Sequence, residues 1–70
     1  MKKQTVNITT EFIKLDSLLK FAGIAPDGVS AKQLLLSNQV TVNGEICTMR
    51  GKKIRSGDVV AVQGVEITVE

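Results

Sequence analysis

The sequence predicts an α+β domain, with two short helices near the N-terminus joined by a turn and packed on a small, mostly antiparallel β-sheet. Three observations predict it. Leu15, Leu18, Leu19 and Ala22 fall at i, i+3, i+4 and i+7, the apolar stripe of an amphipathic helix. Asn43-Gly44 stands between two short alternating runs, which is a strong short-range signal for a hairpin. Val59 to Val62 and Val65 to Val69 read as two more strands, separated only by Gln63-Gly64. The chain has 70 residues, room for one core, so residues 1–70 read as one domain.

Taken in order, Val6 and Ile8 alternate with Asn7 and Thr9 as in a half-buried strand added at the N-terminus. The first helix ends at Gly23, where a left-handed residue costs nothing for want of a Cβ. Ile24-Ala25-Pro26-Asp27-Gly28 forms the turn. Either Asp27 or Ser30 can cap the second helix, and Ser30 with Gln33 has capping-box spacing. Ala31, Leu34 and Leu35 supply its apolar face, and it ends near Ser37-Asn38. A two-residue turn at Asn43-Gly44 sets Val42 opposite Glu45, Thr41 opposite Ile46 and Val40 opposite Cys47, so that Cys47 is a small core hydrophobe. Arg50 to Arg55 reads as a loop. Ser56-Gly57-Asp58 then turns the chain, with Asp58 tightening the turn into the next strand. The order is β-α-α-β-β-β-β.

Composition excludes several function classes. There is no His and one Cys, hence no zinc-finger ligand set, no Ser-His-Asp triad and no internal disulfide. The carboxylates are scattered, with no pair placed by local spacing for acid–base work, so a non-catalytic protein without cofactor or metal is expected. The longest apolar runs are three or four residues, far short of the roughly 20 that span a membrane. Met1-Lys2-Lys3 begins like a signal peptide, but no apolar region follows, which points to the cytoplasm. Trp and Tyr are absent and Phe occurs only at positions 12 and 21. A binder that stacks single-stranded bases on aromatic rings has almost nothing to use.

Charge is concentrated in one place. Residues 1–49 carry five lysines and four acids, and residues 56–70 carry three acids and no cation. Between them Arg50, Lys52, Lys53 and Arg55 put four cations into six residues with no acid. A dense basic segment on a near-neutral chain binds polyanions where the average charge would not. A-form RNA hides its base edges in a deep groove and is read through backbone shape, which needs cations rather than aromatic rings.

The stretch from Lys14 to Val62 resembles the RNA-binding domain named after small-subunit ribosomal protein S-four. Lys14-Leu15-Asp16 with Leu19 is similar to that family's Arg-Leu-Asp-x-x-Leu first helix, and Ala31-Lys32-Gln33-Leu34 to its Ala-Arg-Arg-Leu second helix. Val40-x-Val42-Asn43-Gly44 is similar to its hairpin, and Ile54-x-x-Gly57-Asp58-Val59 to the Gly-Asp lead into its next strand. The small size, the N-terminal strand and Arg50-Gly51-Lys52-Lys53 look most like the stand-alone bacterial members (YaaA-like and YbcJ-like). Gln33 stands where many members have a second basic residue, and Cys47 and Met49 where stand-alone relatives often have charged ones.

The resemblance implies a helix-turn-helix and hairpin motif that binds structured RNA, often ribosomal RNA, with the ribosomal subunit or its precursor as partner. Carried over, it points to Lys14 on the first helix, Lys32 on the second, and Arg50, Lys52, Lys53 and Arg55 after the hairpin. Lys20 joins them as a further lysine of the first helix. The expected state is a monomer. The competing expectation is a protein-interaction module that uses Val65 to Val69 as an exposed edge strand, without direct RNA binding.

Overall fold

The computed structural model describes residues 2–70. Along them run β1 (Lys2–Val6), β2 (Ile13–Lys14), α1 (Leu15–Phe21), α2 (Gly28–Leu36), β3 (Val40–Val42), β4 (Glu45–Ile46), β5 (Lys53–Ile54), β6 (Val59–Val62) and β7 (Val65–Val69). Five strands form one sheet in the order β1-β7-β6-β3-β4, and β2 pairs with β5 in a second, two-stranded sheet. The β1–β7 pair is parallel and the other pairs are antiparallel. This is the α+β, mostly antiparallel architecture that the sequence predicts.

The two apolar periodicities meet in one core. On the sheet, period-two alternation turns Val40, Val42, Val60, Val62, Ile67, Val69 and Val6 to the same buried cluster. On the helices, Leu15, Leu18 and Leu19 of α1 and Ala31 and Leu35 of α2 supply the other side. Burying each Leu or Ile contributes roughly 1.5–3 kcal/mol. The opposite face of the sheet carries Thr41, Ala61, Glu66 and Thr68, which are only partly buried.

Local chemistry sets the element ends. Asp27 caps α2, accepting the Ser30 N–H at 2.8 Å, so of the two candidates Asp27 is the cap. That hydrogen bond from the Ser30 backbone holds the Asp27 carboxyl below its ordinary 3.8. Gly23 follows α1 with φ +79°. The hairpin turn has φ +52° at Asn43 and +88° at Gly44, the pair of positive values that a type I′ turn requires. Its register is the expected one, with Val42 opposite Glu45 and Thr41 opposite Ile46. The ladder continues through the Cys47 N–H, which donates to the Val40 carbonyl at 3.0 Å and leaves Cys47 half-buried.

Three expectations need correction. The first strand covers Lys2–Val6 rather than Val6 to Ile8, pairing from Lys2 opposite Val65 to Val6 opposite Val69, and beyond it the Ile8 N–H donates to the Glu70 carbonyl at 2.9 Å. That pairing also removes the exposed edge expected at Val65 to Val69. β7 lies inside the sheet between β1 and β6, so Val65 to Val69 is not an edge strand, and the sheet's edges are β1 and β4. Finally, the basic segment is not a loop throughout. Lys53 and Ile54 pair with Lys14 and Ile13, and Ile54 is completely buried.

Candidate nucleic-acid interface

The basic segment is fastened to the start of α1 by its own main chain. Lys14, the residue before α1, gives no side-chain cap; the Asp16 carboxylate accepts the Ser17 N–H at 2.8 Å, and the first two N–H groups of the helix need other partners. The Leu15 N–H donates to the Lys52 carbonyl at 2.9 Å, and the Asp16 N–H donates to the Arg50 carbonyl at 3.1 Å. The β2–β5 pairing then sets Lys14 directly opposite Lys53. Carbonyls and a buried Ile54 point the segment's backbone inward, and its cationic side chains remain exposed.

Five of the seven candidate residues are thereby drawn to one end of α1: Lys14, Arg50, Lys52, Lys53 and Arg55. All five are exposed. The Lys53 ammonium sits 5.0 Å from the centroid of the Phe12 ring, a cation–π contact that steadies it. Lys52 and Arg55 also act on the nearby Asp58 carboxylate, whose acidity they increase. Lys20 and Lys32 lie elsewhere. Lys20 is in the last turn of α1, six residues and about 9 Å along the axis from Lys14. Its charge falls on Asp27, whose carboxyl it helps to lower. Lys32 is exposed on α2, flanked at helical spacing by the exposed apolar side chains of Val29 and Leu36.

A second fastening holds the far end of the segment. The Asp58 carboxylate accepts the Arg55 N–H at 2.8 Å through Oδ2 and the Asn43 amide Nδ2 at 3.1 Å through Oδ1. Asn43 Oδ1 in turn accepts the Val59 N–H at 2.9 Å, and the Asn43 N–H donates to the Val59 carbonyl at 2.7 Å. The hairpin turn is thus latched to the turn that carries Arg55. Sequence reading accounts for Asn43 by its turn alone and for Asp58 by the strand it precedes. The bond between them, across 15 residues, leaves no local pattern to find.

The latch is sensitive to acid. Its hydrogen bonds, first from the Arg55 backbone and then from Asn43, hold the Asp58 carboxyl below its ordinary 3.8. Asp27 is lowered likewise. With folded values below unfolded ones, the unfolded chain binds more protons in this range, so stability rises with pH. We expect the contribution of both carboxylates to be complete well above pH 3.8 and to vanish as pH falls through the folded values. Thermal melts of wild type and Asp58→Asn across that window check it. The variant should start less stable at neutral pH and lose less on acidification.

Comparison with known proteins shows the family. The family model described as the S4 domain matches residues 6–70. A probable ribosome maturation protein, RlbA, of Bacillus subtilis (strain 168) is 41% identical over 59 residues, covering 84% of this chain and 83% of that protein. The small ribosomal subunit proteins uS4 of Christiangramia forsetii and of a Wolbachia species (subsp. Brugia malayi) are each 36% identical over 50 residues. Those matches cover 71% of this chain but only 25% and 24% of the ribosomal proteins. With the helix pair, the hairpin and the Gly-Asp turn in their expected places, and the family model covering nearly all of its length, the chain belongs to the S4 domain family.

Proposed function

We propose that this S4-domain protein is a non-catalytic, cytoplasmic RNA-binding protein. It recognises structured RNA, namely ribosomal RNA or a ribosome-assembly intermediate, and acts as a monomer. The observation that carries the reading is the gathering of Lys14, Arg50, Lys52, Lys53 and Arg55 at one end of α1 on a backbone fastened at both ends. Cations on a fixed frame match the regular phosphate spacing of a folded RNA better than that of a flexible strand. The similarity to a protein named for ribosome maturation supports the ribosomal part of the proposal. Lys20 and Lys32, outside the cluster, are proposed as peripheral phosphate contacts.

Fluorescence anisotropy with a folded ribosomal RNA fragment and an unstructured strand of equal length tests this. Tighter binding of the folded RNA is expected, and equally weak binding of both would contradict it. The latch supplies a second test in which charge and geometry predict opposite signs. Asp58→Asn raises the net charge from its present +2 by one, so electrostatics alone would tighten RNA binding. Loosening the frame at Arg55 should instead weaken it several-fold. An unchanged or tighter Kd would show that the latch does not position the basic segment.

A further inference from the structure

Phe21 is 71% exposed, the most exposed of the large apolar side chains in the described fold. It closes the last turn of α1 and walls a groove of about 280 Å³ shared with the connection between β1 and β2. Ile8 and Ile13 give this groove apolar surface, and Asn7, Thr9 and Thr10 bring hydrogen-bonding groups to it. The Thr10 hydroxyl donates to the Phe12 carbonyl at 2.8 Å, which leaves its oxygen free to accept. The Asn7 amide offers both a donor and an acceptor. The volume lies just under the range of about 300–1,000 Å³ that takes drug-sized ligands, so it suits one heterocycle rather than a larger molecule.

Its surroundings indicate which heterocycle. No carboxylate lines the groove, and Glu11 and Glu70 on the adjoining segments are both exposed. Ile13 is followed directly by Lys14, which pairs with Lys53. Lys14 immediately precedes α1 and Phe21 ends it, so about 10 Å of helix axis separates the two. An apolar slot with an aromatic wall, polar edges and cations two turns away is complementary to a base and its flanking phosphates.

We propose that this groove takes one unpaired nucleobase of a bound RNA, stacked on Phe21, while the adjacent phosphates rest on Lys14 and Lys53. The inference rests on the reading that this protein binds RNA, and it adds a recognition element to it. A folded RNA carrying an extruded base is held more tightly than a perfectly paired one. Asn7 and Thr9 hydrogen-bond to the edge of the base.

The chain has no Trp or Tyr, so Phe21→Trp places a single reporter in the groove and keeps an aromatic face there. The probes are a labelled RNA duplex with one bulged nucleotide, the same duplex without the bulge, and the same duplex with an abasic residue at the bulge. Binding is read from RNA anisotropy, and stacking from quenching of the tryptophan. Quenching is expected with the bulged duplex alone. Wild type and Phe21→Trp should prefer that duplex by about ten-fold, and Phe21→Ala should lose the preference while binding the paired duplex as before. Because Phe21 is exposed, Phe21→Ala keeps its fold, which a melt verifies. Binding to all three RNAs without quenching or preference would overturn the groove and leave RNA binding standing. A bulge preference that survives Phe21→Ala would overturn it too, by placing the base elsewhere. Failure to bind any of the three would overturn both this inference and the RNA-binding proposal.

Discussion

Glutamine at Arg50, Lys52, Lys53 and Arg55 together is expected to lower RNA affinity by on the order of a hundredfold at moderate salt, because four phosphate contacts and their released counterions are lost at once. The fold should survive. All four side chains are exposed, and exposed substitutions away from special features usually change stability by less than about 0.5 kcal/mol each. The variant forfeits the contact of Lys53 with Phe12, worth about 0.5–1 kcal/mol at an exposed site, and the attraction of Lys52 and Arg55 for the Asp58 carboxylate. The segment's structural work is done by the Arg50 and Lys52 carbonyls, which side-chain replacement leaves in place. Anisotropy alongside a circular-dichroism melt checks both halves. A variant that unfolds, or that binds as tightly as wild type, would refute the assignment.

Ile54→Ala should do the reverse, keeping every cation and losing the fold. Ile54 lies between Lys53 and Arg55 in the sequence but is completely buried. Truncating such a side chain costs about 2–5 kcal/mol, the lost transfer energy plus the cavity left behind. A chain this short, without a disulfide, has a margin of only about 3–5 kcal/mol. A fall in Tm of at least about 10 °C is therefore expected, with the variant largely unfolded at 37 °C. A shift of only a few degrees would mean that the basic segment is not anchored through this residue. Together the two variants separate the segment's inward face, where Ile54 is buried, from the outward face proposed to meet RNA.

How much of this was legible depended on whether the physics was local. The β3–β4 hairpin carries its own turn chemistry in Asn43-Gly44. β6 and β7 flank a two-residue turn at Gln63-Gly64, where both residues have positive φ. Both features read directly from adjacent residues, as does the helical stripe from Leu15 to Ala22. By contrast, β2 and β5 contribute two residues each and pair across some forty positions, so neither shows a periodic pattern. The parallel partner of β1 lies at the opposite end of the chain, which hid the fact that β7 has no free edge. In the candidate site, the density of Arg50 to Arg55 was plain in the sequence. What was not plain is that Lys14 joins that group while Lys20 and Lys32 stand apart, since only the β2–β5 register and the carbonyl contacts to α1 decide it. The Asn43–Asp58 latch was hidden for another reason. Each residue already had a sufficient local explanation, and a long-range bond adds nothing to the sequence pattern.

A basic segment fixed at the start of α1 is proposed to grip the backbone of a folded RNA. The salt dependence of binding to a labelled, structured ribosomal RNA fragment tests it most directly, with an unstructured strand as control. The five gathered cations predict a log–log slope equivalent to roughly three to six phosphate contacts on the folded RNA, with the folded RNA preferred throughout. A nearly flat slope, with no preference between the two RNAs, would contradict it and reduce residues 50–55 to a solvated surface.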